Sequence, residues 1–129
     1  MPQTFPVTVY YEDTDMGGIV YHANYLKFIE RARSTWVAEL GVDQLKLKVE
    51  GVIFVVRRIE SDFLAPAILG DQLTVTTETE SQSNARWVLR QCVLKGSEKL
   101  FEALVTVVAM TPQGRPTRLP AELRAQLDV

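Results

Sequence analysis

Apolar residues recur along the chain with two different periods, and each period points to an element. From Pro6 to Tyr11, Val7, Val9 and Tyr11 alternate with Thr8 and Tyr10, the period of a strand. From about Ala23 the spacing lengthens. Tyr25, Phe28, Ile29, Ala32, Trp36 and Leu40 stand at i, i+3, i+4, i+7, i+11 and i+15, one continuous helical stripe. Lys27, Glu30, Arg31, Arg33 and Glu39 occupy the other face, and Gly41 sits where a C-terminal cap glycine belongs. Such a helix runs roughly 27 Å at about 1.5 Å per residue, so something equally long must cover its stripe.

Strand-like runs follow and supply the cover. GVIFVVRRIESDFLAP opens as an apolar run at Val52–Val56, shifts to alternation and ends at Pro66. DQLTVTTETES sets Leu73, Val75 and Thr77 against Thr74, Thr76, Glu78 and Glu80. ARWVLRQCVLK is bracketed by the turn-like Ser83-Asn84 and Lys95-Gly96-Ser97. LFEALVTVVAM puts Phe101, Ala103, Val105, Val107 and Ala109 on one face, assigned to the core. The short joints favour antiparallel pairing. The Pro-rich tail predicts one or two helical turns from Pro120. The expected fold is α+β: a five-stranded antiparallel sheet with one long helix laid across it, as a single domain over residues 1–129. One helix leaves part of such a sheet uncovered, so self-association by sheet edges or by the second face is expected.

Composition narrows the partners. The chain has 129 residues, 47% hydrophobic and 23% charged, the range of an ordinary globular domain. A net charge of −2 gives no electrostatic pull toward nucleic acid or an acidic membrane. No long apolar run predicts a membrane span, and MPQTFPVTVYYED has none of the pattern of a signal peptide. The single cysteine, Cys92, excludes an intrachain disulfide and reads as a small buried residue in a strand. No Cys/His cluster suggests a metal, and no cofactor is expected. A soluble protein of a reducing compartment, the cytoplasm, is the expectation.

Candidate chemistry concentrates in EDTDMGGIVYHANYL, Glu12 to Leu26. Glu12, Asp13 and Asp15 have an ordinary role, since acids are favoured near helix starts. Gly17 and Gly18 allow a close approach to backbone amides, and the first turn of the helix carries orphan N–H groups. Together these form a site where a carbonyl oxygen could gain negative charge while a carboxylate acts as nucleophile or general base. The only histidine, His22, reads equally as a substrate contact or a helix-start residue, and Asn24 as an N-cap. Tyr10, Tyr11, Tyr21 and Tyr25 read as packing residues.

The run from Tyr10 to Arg33, YYEDTDMGGIVYHANYLKFIERAR, resembles the signature of hotdog-fold acyl-CoA thioesterases of the 4-hydroxybenzoyl-CoA thioesterase type. It is most similar to the branch associated with the bacterial Tol–Pal system. The similarity extends through FVVRRIESDFLAPAILGDQL, Phe54 to Leu73. The resemblance implies a long helix wrapped by the sheet, with homodimers paired edge to edge and often homotetramers. It also implies an acyl-CoA substrate, with Asp15 as the catalytic carboxylate. The carbonyl-polarising amide falls on His22, whose side chain also becomes a candidate. Gly17, Gly18, Tyr21 and Asn24 are assigned to the substrate side. Arg86 and Arg90 are assigned to the CoA phosphates, among other arginines of the chain. Met16 stands where the family more often has a small residue.

Two other readings stay open. A hotdog dehydratase would need His22 as general base with a carboxylate partner. A non-catalytic acyl-binding or envelope-associated scaffold would use the acidic loop structurally. Asp15, Gly17, Gly18 and His22 together exceed what a passive binder requires.

Overall fold

The structure, a computed structural model, describes residues 2–127. In chain order it contains β1 (Gln3–Thr8), a 3-10 turn (Tyr11–Asp13), α1 (His22–Glu39), α2 (Gln44–Val49), β2 (Ile53–Phe63), β3 (Gln72–Gln82), β4 (Arg86–Lys95), β5 (Glu98–Met110), β6 (Pro116–Thr117) and α3 (Ala121–Gln126). Strands pair antiparallel in the order β1-β3-β4-β5-β2, and β6 pairs with β5. The expected α+β hotdog arrangement is therefore present, with a sixth, two-residue strand beyond the five expected.

α1 lies across β1, β3 and β4. It buries Tyr25, Phe28, Ile29, Ala32 and Val37 against Val75, Trp87, Leu89, Val93 and Val105 of the sheet. Val37 takes the buried place expected of Trp36. The Trp36 indole sits partly buried at the flank of the core, 5.6 Å from the Trp87 ring. Gly41, at φ +85°, closes the helix: its N–H donates to Ala38 O at 2.9 Å and Val42 N–H to Val37 O at 3.2 Å. That pair of bonds is a Schellman cap, which asks for a left-handed residue here. Under α1, fully buried Gln91 donates to Ile29 O and Thr77 Oγ1, both at 2.9 Å, and accepts from Arg33 Nη1 at 3.0 Å. A buried amide satisfied in this way fixes helix against sheet.

Other boundaries move. β1 runs Gln3–Thr8, earlier than the expected Pro6–Tyr11. Val9 remains buried, but Tyr11 turns into the 3-10 segment and is 82% exposed. Cys92 is buried, and burial pushes its thiol pKa up. β2 forms one edge of the sheet and, among the described residues, pairs only with β5, while its Phe63 end meets the start of α1. Among the described residues no helix is long and apolar enough to cross a membrane, and no cluster of metal-ligating side chains occurs.

Candidate active site

The segment between β1 and α1 folds back on itself as a tight loop. Tyr21 N–H donates to Asp13 O at 2.9 Å, Thr14 bridges Val20, and Asp15 N–H donates to Ile19 O at 2.9 Å. At the tip, Gly18 N–H reaches Asp15 O at 2.9 Å, and Gly18 adopts φ +81°. That left-handed conformation is open to glycine at no steric cost. Gly17 N–H donates to Asp15 Oδ1 at 2.8 Å, which holds the carboxylate over the turn.

The two aspartates thus differ in commitment. Asp13 is built into the loop: its Oδ2 accepts from Tyr10 N–H at 2.9 Å, and its carbonyl also accepts from Asn24 Nδ2 at 2.9 Å. Asp15 is exposed, and among the described residues its carboxylate accepts from Gly17 N–H alone. Asn24 is not the N-cap expected of it. Tyr21 occupies that position without a side-chain cap, and Asn24 stands in the first turn, tying the helix start to Asp13.

α1 begins at His22. Among the described residues neither His22 N–H nor Ala23 N–H has an acceptor. Such orphan donors at the positive end of a long helix are a ready anion site. The exposed His22 ring lies 4.6 Å from the Tyr21 ring and 6.0 Å from that of Phe63, centroid to centroid. No carboxylate pairs with it among the described residues. Behind it, Tyr25 stacks on Phe101 at 5.1 Å and accepts from Ala67 N–H at 3.2 Å. Burial pushes the Tyr25 phenol pKa up, as suits a neutral acceptor.

The β2–β3 connection backs the loop. Val20 N–H donates to Ala67 O at 2.9 Å, and Ile19 bridges Ile68. Met16, Ile19, Phe63, Leu64, Ile68 and Leu69 are exposed around it, a wide apolar rim for a solvent-facing surface. Asp15, Gly17, Gly18, Tyr21, His22 and Asn24 are therefore gathered into one loop-and-helix unit. Arg86 and Arg90, on β4, are not part of it. Arg90 is held by Glu80 at 2.9 Å and Glu102 at 2.8 Å, whereas Arg86 has no acidic partner among the described residues.

The model of the Thioesterase superfamily matches residues 17–102. The acyl-CoA thioester hydrolase YbgC of Escherichia coli is 41% identical over 124 residues, 95% of this chain and 92% of that protein. The chain belongs to the thioesterase superfamily. Among solved superfamily structures, a probable thioesterase from Bartonella henselae shares 37% identity at a TM-score of 0.83, covering 92% of this chain and 98% of its own. A 1,4-dihydroxy-2-naphthoyl-CoA thioesterase from Synechocystis superposes at 0.90 with 23% identity, covering 98% and 96%, and speaks to the fold alone. In this superfamily member the matched region includes Gly17, Gly18 and the whole of α1, and begins two residues after Asp15.

Proposed function

We propose that the chain is an acyl-CoA thioester hydrolase, with Asp15 the reacting carboxylate and the start of α1 the oxyanion site. The observation that carries the reading is the pairing of a loop-tip carboxylate, held by Gly17 N–H, with the acceptor-free amides of His22 and Ala23. The name of the E. coli relative and the superfamily membership support it. In the reaction, Asp15 attacks the thioester carbon to give a mixed anhydride, or draws a proton from an attacking water. The carbonyl oxygen gains charge against the amides at the helix start, the C–S bond breaks, and CoA thiolate leaves to be protonated. Water supplies the oxygen of the released acid. Gly17 and Gly18 keep the approach to the backbone open, while Tyr21 and Asn24 border it.

A second copy completes the proposed assembly. β2 presents a free edge, and the apolar rim around the acid loop begins at its Phe63 end. Antiparallel pairing of two β2 strands would cover both. A cytoplasmic setting and the Tol–Pal association belong to the same reading and rest on the sequence resemblance.

The test is thiol release from a panel of aliphatic and aromatic acyl-CoAs. Asp15→Asn is expected to lower kcat on the order of 100-fold or more with unchanged folding. An active Asp15→Asn beside a dead, folded Asp13→Asn would overturn the assignment. The dehydratase reading loses support because, among the described residues, His22 has no carboxylate partner of the kind that general base would need.

A further inference from the structure

α2 stands at the far end of its chain from the acid site. α1 and β2 lie side by side in opposite directions: the His22 and Phe63 rings meet at one end, whereas Val37 and Gln44 border one cavity with Phe54 at the other. Both ends of α2 are fixed. Asp43 Oδ1 accepts from Leu45 and Lys46 N–H at its start. At its close, Gly51 N–H donates to Lys48 O at 3.1 Å and Val52 N–H to Leu47 O at 2.9 Å, a second Schellman cap. Yet this well-capped helix buries none of its residues. Leu45 is 79% and Val49 89% exposed, one turn apart on a single face, with Lys48 beside them.

That face borders the free edge of the sheet. Leu45 and Lys48 line a cavity of about 190 Å³ with Val52, Ile53 and Phe54, where β2 begins. The other end of β2 carries a matching surface. Tyr21, Leu26 and Phe63 are exposed there, and Leu26 follows His22 by one turn along the same flank of α1. Charge matches as well. Lys48 forms no ion pair among the described residues, and neither do Glu12, Asp13 and Asp15 of the acid loop.

We propose that α2 of one subunit docks on the acid site of the other, where its Leu45 and Val49 form the apolar wall that receives the acyl group. The inference rests on the thioesterase and assembly readings above. Antiparallel pairing of two β2 strands sets the Ile53 end of one subunit against the Phe63 end of the other. α2 is joined to Ile53 by Glu50, Gly51 and Val52 alone, so it travels with that end of the strand. Leu45 and Val49 then cover the partner's Tyr21, Leu26 and Phe63, and Lys48 comes to the side of the acid loop. Twofold symmetry makes the exchange reciprocal. Each site takes its carboxylate and helix start from one chain and its acyl-facing wall from the other. An aliphatic wall favours apolar acyl groups over those with an ionised substituent, which would lose water there without gaining a partner.

Cross-linking tests the docking without any turnover. In a Cys92→Ser protein, Leu26→Cys/Val49→Cys treated with a short bis-maleimide is expected to give a covalent dimer that needs both cysteines. A bridge within one chain is out of reach, because Leu26 lies roughly 16 Å along α1 from Val37 and the α2 end, at about 1.5 Å per residue. No covalent dimer, or one formed equally by either single-cysteine variant, overturns the docking. Turnover tests the wall. Leu45→Ser/Val49→Ser should lower kcat/KM for hexanoyl-CoA at least about tenfold with an unchanged far-UV spectrum. Refolded from urea as an equal mixture with Asp15→Asn, it should recover about a quarter of wild-type activity, since half the dimers are mixed and each of these holds one intact site. A mixture no more active than its components, or a serine variant as active as wild type, overturns the wall. Cross-linked dimers from a protein that hydrolyses no thioester keep the docking and remove the thioesterase reading. Hydrolysis without the cross-link keeps the thioesterase and removes the docking.

Discussion

At Gly17, a Cβ would lie 3.2 Å from Asp15 Oδ1, the oxygen that accepts from Gly17's own N–H. The backbone there is not left-handed, so alanine is tolerated by φ and opposed only by the carboxylate. Gly17→Ala should therefore move the Asp15 side chain and little else. Misplacement of a reacting group by about 1 Å costs on the order of 100-fold in rate, so a kcat loss of at least about tenfold is expected with an unaltered far-UV spectrum. Turnover equal to wild type would show that the position of Asp15 Oδ1 does not matter to the reaction. Residue types and spacing drew attention to this loop, but Glu12, Asp13 and Asp15, set so close together, are chemically alike on paper. What separates them is local bonding: Asp13 is consumed by Tyr10 N–H, and Asp15 is left facing solvent. The arginines were less legible still. Glu80 and Glu102 neutralise Arg90 through strand register, a relation that spacing along the chain does not carry.

The β2–β3 connection supports the acid loop from behind and is itself pinned by Asp71. One oxygen of that carboxylate accepts from Ile68 N–H at 2.9 Å, and the other pairs with Lys95 Nζ at 3.0 Å. The Ile68 amide first, and then Lys95, hold its pKa below the ordinary 3.8. A carboxyl depressed in the folded state contributes stability that is complete above its unfolded pKa and fades as pH falls through the folded one. Asp71→Asn is expected to cost on the order of 1–2 kcal/mol in urea unfolding at pH 7. The gap between variant and wild type should narrow below about pH 4. A gap independent of pH would mean that the charge of Asp71 does no work there. Among elements, β3, β4 and β5 were legible because turn residues bracket clean alternation. α2 was not, since Leu45, Leu47 and Val49 alternate with lysines as a strand would. Its determinants are single groups: Asp43 Oδ1 accepts from Leu45 and Lys46 N–H at 3.0 and 3.1 Å, and Gly51 closes the other end at φ +95°. β6, two residues long, has no period to read.

For the whole molecule, the uneven cover of the sheet is the decisive feature. α1 shields β1, β3 and β4, leaving β2 with one unpaired edge and an inner side on which Val56 is 41% and Phe63 51% exposed. The proposed pairing would use this eleven-residue strand, whose free edge and apolar flanks suit a second copy. This was the part of the architecture most readable from sequence, because the count of one long helix against so many strands already implied a shortage of cover. A second copy is therefore expected to pair through β2, giving a species of at least twice the 14.5 kDa chain mass in sedimentation at micromolar concentration. Val56→Lys puts a charge beside that edge and away from Asp15, so it should shift the protein toward monomer as concentration falls. If the site needs the second copy to cover its apolar rim, turnover should follow the dimer fraction, recovering at high protein concentration. A wild-type chain that sediments only as monomer would sink the assembly. A dimeric wild type whose Val56→Lys monomer turns over at full rate would keep the dimer and place the whole reaction within one chain.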